Sequence, residues 1–387
     1  MTLRIAIVGG GIGGLALAAL LQRRGGSCTV YEAASPADFA AVEGDVHLTK
    51  VGLSILQEAL GEPLPEVELA PVLPLTLMSH SASRLMLMGD AQGPLAGLQR
   101  ASYARLRALL LGGAAAEWLR FGARVVDASQ GSGSVLLDLE DGTEALADLV
   151  VVADGEGSAL RRRIWGEVPR PLELVAVRGT SDAGGALPMG CAGALRILGD
   201  GCSFHAAQRE PQGPIAWTFS RRGRIDELAG LSAQALRDEV AFLTSGWTPD
   251  VRPLLERTSD AALTTSELEV VDLPDRLSIG GITLLGDAAH AATPFLELGA
   301  ELALQEAMAL SVLLESATTE TLGARQERYD QEVRELARGD LNRALFNAKL
   351  FHLAGPFARF LRDSSLRLLD AGMQNATLEK LPPGGTE

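Results

Sequence analysis

Apolar and polar positions alternate between two rhythms along this chain, and the first thirty residues contain both. Ile5 to Val8 is a short, largely β-branched run closed by glycines, Leu15 to Leu21 continues with good helix formers, and Cys28 to Tyr31 is a second strand-like run. The order predicted is strand, turn, helix, strand. The unit does not repeat as it would in a simple parallel sheet. Leu75 to Met78 and Arg84 to Met88 read as short strands, and Arg100 to Leu111 as a helix. The stretch VLLDLEDGTEALADLVVVADG predicts a hairpin turning at Asp141-Gly142, followed by a buried strand from Leu149 to Ala153. Strands separated by glycine-rich links fill Val175 to Phe219, with Ile215 to Phe219 the clearest of them. A further apolar strand, Ile282 to Leu285, leads into GDAAHAATPFLELGAELALQEAMALSVLLE and a long helix. Helices from about Thr321 onward carry Phe346, Leu350, Phe351 and Phe357 on apolar faces, to cap the domain or meet a partner subunit, and the tail Pro382 to Glu387 is expected to fray. The strand-turn-helix-strand start is thus interrupted by a strand-rich insertion.

Composition narrows the class. The 387 residues are 47% hydrophobic and 21% charged, enough for two domains and a sizeable core. A net charge of −15 leaves no overall positive field for nucleic acid or an acidic membrane surface, so an anionic cofactor must be held locally. Cys28, Cys191 and Cys202 are odd in number and lack CxxC spacing, which argues against a disulfide framework and a zinc site. His47, His80, His205, His290 and His352 share no ligand spacing, so no metal is expected. The N-terminal apolar run is broken by five glycines and followed by Arg23 and Arg24, unlike a cleavable signal, and no run reaches the ~18 apolar residues of a membrane span. A cytoplasmic protein is expected.

Gly9, Gly11 and Gly14 stand in the GxGxxG register, and Glu32 lies at the end of the second strand. Gly9 permits a tight turn, Gly11 lets the backbone approach a pyrophosphate at a helix N-terminus, Gly14 allows close helix packing, and Glu32 can accept from a ribose diol. A glycine-rich packing turn is the plain alternative. Two later segments also follow apolar strands: ADGEGSALR, Ala153 to Arg161, and GDAAHAATP, Gly286 to Pro294. Asp287 sits where open α/β sheets bind ligands, and can accept from a ligand hydroxyl or serve as a turn aspartate.

Together these three motifs resemble the FAD-dependent aromatic hydroxylases, single-component flavoprotein monooxygenases of the p-hydroxybenzoate hydroxylase type, from the start of the chain to about residue 315. The resemblance implies an α/β fold: a Rossmann-like FAD-binding domain (1–70, 98–171 and 275–330), an inserted strand-rich substrate domain (71–97 and 172–274) and a C-terminal helical region (331–387). It implies FAD, with NADPH or NADH as reductant, and a flavin C4a-hydroperoxide that hydroxylates an aromatic, polyketide or other electron-rich small molecule with O₂. A reductase or dehydrogenase without oxygen insertion, and a degenerate flavin-binding homologue, are the alternatives. The chain is expected to be a monomer or homodimer. VEGDVHLTK, Val42 to Lys50, is similar to segments of family members that oxidise tetracyclines and other polyketides.

Cofactor-binding residues implied by the resemblance are Gly9, Gly11, Ile12, Gly13, Gly14, Glu32, Arg100, Asp154, Gly286, Asp287, Pro294, Gly299 and Ala300, with Arg161 beside Asp154 near the pyrophosphate and nicotinamide donor. Arg100 has a solvated helix charge as its alternative, the reading given to the arginines around it. His290 is read as supporting its loop. Trp217 and Phe219 are candidate substrate-pocket residues, with core packing the equal alternative. Two departures from the family stand out: no arginine lies between Glu32 and Arg84, where many relatives place one and this chain has only Lys50 as a cation, and Glu297 and Glu301 replace a glycine and an asparagine near the flavin ring. Glu297 is the catalytic candidate. Both glutamates are expected at a helix entry, either opposing charge on the reduced flavin, turning to solvent or, for Glu297, meeting the substrate.

Overall fold

The structure is a computed structural model that describes residues 3–42, 44–65, 68–89, 97–112, 117–182, 184–210, 212–291 and 299–378. It divides into two compact units: residues 1–71, 98–170 and 270–345, and residues 72–97, 171–269 and 346–387. Of the C-terminal residues 331–387, those to 345 fall in the first unit and those from 346 in the second.

The first unit is built on a six-stranded sheet in the order Ser278–Ile279, Ile282–Leu284, Leu149–Val152, Ile5–Val8, Cys28–Tyr31, Leu119–Arg120. Ile5–Val8 is parallel to both Leu149–Val152 and Cys28–Tyr31, and Leu149–Val152 is parallel to Ile282–Leu284. The strands Ile5–Val8, Leu149–Val152 and Ile282–Leu284 are buried throughout, as a parallel sheet covered on both faces requires. The helix Ile12–Arg23 packs closely on the helix Gly299–Leu314. Gly13 permits this approach: a Cβ there would stand 2.7 Å from Leu285 and 3.1 Å from the Ala303 Cβ. Two three-stranded antiparallel sheets complete the unit, one of Val125–Gln130, Val135–Leu139 and Glu144–Ala147, the other of Asp45–Leu48, Ala70–Pro71 and Gln99–Ser102. The expected helix at Arg100 therefore begins later. Residues 99–102 pair with Asp45–Leu48, and Ser102 caps the helix Tyr103–Leu110 by accepting from Arg105 N.

The second unit is a seven-stranded sheet running Thr264–Val270, Arg170–Ser181, Ile215–Arg222, Cys202–Gln208, Ala194–Leu198, Leu75–Ser79, Arg84–Met88. One face is a core that includes Val177, Leu195, Ile197, Phe204, Trp217 and Phe219, packed with Leu236, Val240, Leu254 and Leu255 from the helices Ala233–Leu243 and Arg252–Glu256. Trp217 stacks on Phe204, lies over Gly179 and donates to Thr258 Oγ1 at 2.9 Å. Trp217 and Phe219 are thus core residues, not pocket residues. Strand alternation carried the signal, because the polar positions Thr218 and Ser220 necessarily face the other way. That other face holds an unbroken cross-strand row: Arg178 opposite Thr218, Thr218 opposite His205, and His205 opposite Arg196. The Arg196 guanidinium lies 5.2 Å from the ring centroid of Phe351.

Candidate cofactor site

The three motifs converge because the strands preceding them are neighbours. Residues 9–14, 153–161 and 286–290 leave the carboxyl ends of three adjacent parallel strands, the position at which open α/β sheets bind ligands. Gly9, at φ +109°, lies so close to the second loop that a Cβ would stand 2.3 Å from the Ala153 carbonyl oxygen. A Cβ on Gly14 would stand 2.2 Å from the Gly9 oxygen. Gly11 differs: among the described residues its Cβ would meet only the Tyr103 hydroxyl, at 3.6 Å. Gly11 is also the extended N-cap of the helix Ile12–Arg23, whose first turn has neither a side-chain cap nor an acidic residue. This is an uncapped, positively polarised helix end with room in front of it.

Glu32 turns its carboxylate onto that loop, with Oε2 accepting from Gly10 N at 2.7 Å and Oε1 from Ala34 N at 2.8 Å. Each oxygen retains acceptor capacity for a ribose hydroxyl. Asp154 Oδ1 is buried and has no partner among the described residues, and burial raises the pKa of this carboxyl group. Asp287 is exposed to solvent although protein surrounds its carboxyl group closely enough for desolvation to raise its pKa, so it lines a recess. Gly299 lies beside it, where a Cβ would be 3.4 Å from Asp287 Oδ1, and Ala300 follows in the first turn of the Gly299–Leu314 helix. An open glycine cradle, an orphaned buried acceptor and a recessed carboxylate fit a large, polyhydroxylated, anionic cofactor such as FAD.

Several expectations change in detail. Arg161 is buried and braces the third loop, donating to the carbonyls of Ala288 (3.0 Å), Ala289 and Asp272 (2.5 Å) and pairing with Glu167. It acts on the cofactor loops through the backbone. Arg100 lies in a strand, pairs with Asp45 at 3.3 Å, and leaves a buried Nε without a partner among the described residues. Glu301 does not turn to solvent. It is 4% exposed and accepts from Thr49 N (3.0 Å), Thr49 Oγ1 (2.7 Å) and Gln305 Nε2 (2.9 Å). Its carboxylate thereby ties the 299–314 helix to the N-terminus of the helix Lys50–Leu60. Pro294 and Glu297 lie outside the described residues.

Two residues of the site escape a reading of the sequence. Arg107, in a helix whose arginines read as solvated, is buried. Its Nε donates to Gly10 O and its Nη1 to Phe39 O, both at 3.1 Å, and its guanidinium lies 3.4 Å over the Phe39 ring. Burial lowers its pKa. The contact spans 97 positions, and no local pattern announces it. Glu306 is fully buried in an apolar helix, accepting from Gly286 N at 2.7 Å and bonding His290 Nε2. Burial disfavours protonated His290, but the adjacent Glu306 outweighs it and raises the histidine's pKa. His290 therefore supports its loop as expected.

Comparison with known proteins agrees with this geometry. The NAD(P)-binding Rossmann-like domain family matches residues 7–37. The chain is 31% identical to 3-amino-4-hydroxybenzoate 2-monooxygenase of Streptomyces cremeus over 337 residues, covering 85% of this chain and 82% of that protein. It is also 31% identical to 3-amino-4-hydroxybenzoate 2-monooxygenase PtnB3 of Streptomyces platensis, with 94% of this chain and 92% of the relative covered. In fold it is similar to Klebsiella pneumoniae HpxO complexed with FAD and uric acid, with a TM-score of 0.78, 22% identity and 97% of each chain covered. The chain belongs to the FAD-dependent aromatic monooxygenases, oxidoreductases that use FAD with NAD(P)H as reductant. No helix among the described residues is long and apolar enough to cross a membrane, and no described cluster of His, Cys, Asp or Glu is arranged to hold a metal.

Proposed function

We propose that this monooxygenase hydroxylates an electron-rich aromatic or heteroaromatic ring bearing an anionic group. The observation supporting the cofactor assignment is the meeting of three motif loops at adjacent strand ends. The Gly11 helix end holds the pyrophosphate, Glu32 the adenosine ribose, and Asp287 the ribityl chain. FAD, when bound, takes electrons from NAD(P)H and activates O₂. The protein contributes position and exclusion of water.

The row Arg178, Thr218, His205, Arg196 supports the substrate class. Three inter-strand steps of ~4.8 Å make it roughly 14 Å long. Arg178, Thr218 and His205 are partly exposed, whereas Arg196 is buried. Ser266 Oγ accepts from Arg178 Nη1 and steadies the guanidinium. A planar donor fork beside a hydroxyl and an imidazole suits a carboxylate or an acidic ring. The relatives' named substrate, 3-amino-4-hydroxybenzoate, and the uric acid bound by HpxO are both planar and readily ionised. Three free cysteines, with burial pushing Cys28 up to about 12 and Cys202 up to about 11, suit a reducing cytoplasm.

The test pairs hydroxylated benzoates with their carboxamides, measuring NAD(P)H oxidation, oxygen uptake and hydroxylated product on FAD-reconstituted protein. The wild type should prefer the carboxylate. Arg178→Gln should lose ~10- to 100-fold in kcat/KM for the carboxylate and much less for the amide, the scale of one charge-assisted hydrogen bond. Equal losses on both ligands would count against recognition by this row.

A further inference from the structure

We propose that Glu306 is a positioning residue for the cofactor site: by holding the Gly286 N–H and His290 together it fixes the turn that aims Asp287. The inference rests on the reading that Asp287 binds FAD. Gly286 adopts φ +63°, a left-handed conformation, and both Ala289 N and His290 N donate to its carbonyl, at 2.8 and 3.0 Å. Gly286, Ala288, Ala289 and His290 are buried, whereas Asp287 alone of these five points outward. Glu306 grips both ends of the turn from within, through Oε2 on Gly286 N and Oε1 on His290 Nε2. Arg161 grips the middle, at the carbonyls of Ala288 and Ala289.

A wholly buried carboxylate is an expensive way to fill space in an apolar helix. Leucine or methionine would pack there at less cost, but neither can accept from a left-handed glycine N–H and orient an imidazole at once. Among the described residues, the polar groups facing the pair are few. Asp287 stands on the turn itself, Arg161 comes from the helix Ala159–Trp165, and Tyr329 comes from the helix Leu322–Phe351, with its hydroxyl donating to Leu284 O at 3.1 Å. The buried residues of Ile12–Arg23 are all apolar or glycine. Among the described residues, Glu306 is thus the one internal anchor that joins both ends of the turn. A charge-assisted hydrogen bond to a ribityl hydroxyl depends on tenths of an ångström, so a loosened turn transmits directly to Asp287.

A double-mutant cycle on FAD affinity tests this, using apo-protein and the quenching of flavin fluorescence. Glu306→Gln keeps the size and an acceptor for Gly286 N–H but removes the charge that holds His290. Asp287→Ala removes the group being aimed. We expect D287A to weaken FAD binding ~10- to 100-fold and E306Q ~10-fold, on the scale of hydrogen bonds to a charged group. The double variant should bind no more weakly than D287A alone, because Glu306 acts through Asp287. Two independent losses that multiply, or unchanged affinity in E306Q, would overturn the positioning role. Unchanged affinity in D287A would overturn the cofactor assignment itself, a separate failure read on a separate variant. If E306Q does not fold, His290→Gln replaces it in the cycle, breaking the same link from the other side with the same expected coupling.

Discussion

Three glycines of one motif do different physical work, and single substitutions should separate their roles. A side chain at Gly9 or Gly14 meets backbone at 2.3 or 2.2 Å, and backbone cannot rotate aside. Gly9→Ala and Gly14→Ala should therefore destabilise the protein, by ~3 kcal/mol or more, since the first forces the turn away from the 153–154 loop and the second forces the helix away from the turn. Among the described residues a Gly11 side chain meets nothing but a tyrosine hydroxyl at 3.6 Å, and its extended backbone accepts a β-branched residue. Gly11→Val should unfold at the wild-type temperature as apo-protein yet purify without flavin. Thermal unfolding and flavin absorbance of the three variants check this. A colourless, stable G11V is expected, and a fully flavinylated one would remove the pyrophosphate from this turn.

At the scale of elements, another glycine shows how two helices are joined. Gly52 lies inside the helix Lys50–Leu60, where glycine costs ~1 kcal/mol relative to alanine. The residue is tolerated because a Cβ would stand 2.0 Å from Glu301 Oε2, the carboxylate that bonds Thr49. Gly52→Ala should cost ~2 kcal/mol in urea unfolding despite its better helix propensity. In a Glu301→Ala background the same change should stabilise by up to ~1 kcal/mol, and a sign that did not reverse would rule out the steric account. The limits of sequence reading lie at this scale. The βαβ start, the motif loops and the apolar strands were legible because each is encoded by neighbours two to four positions apart. Arg107 on Gly10, Glu306 on the 286–290 turn and Glu301 on Thr49 were not, because each is a buried charge satisfied across 16 positions or more. Trp217 and Phe219 read equally as pocket or core residues; they are core, and alternation with Thr218 and Ser220 separates the two faces.

For the molecule as a whole, acid brings two opposing electrostatic effects. Lowering the pH towards the pI of 4.9 relieves the self-repulsion of a chain carrying −15 at neutrality, which favours the folded state. His352 works the other way. It is 1% exposed, and burial is the main reason its pKa is pushed down to about 4, with Arg196 and Arg222 adding to the effect. Neutral His352 donates from Nδ1 to Ala348 O at 2.7 Å, so Nε2 accepts from Ser220 Oγ at 2.8 Å, and Ser220 in turn meets Ser203 at 3.0 Å. A proton on Nε2 reverses that chain and charges a buried ring. Because the folded pKa lies below the unfolded value near 6.5, the stabilisation is fully present above about pH 6.5 and is lost as pH falls towards 4. The gap corresponds to a loss on the order of 3 kcal/mol across that window. His352→Gln retains a donor and an acceptor but does not titrate, so it isolates the histidine from the global charge effect. Urea unfolding at pH 7 and pH 4.5 should show the wild type losing substantially more stability than the variant. Parallel losses would show that His352 does not set the acid limit, and that carboxylates elsewhere in the chain do.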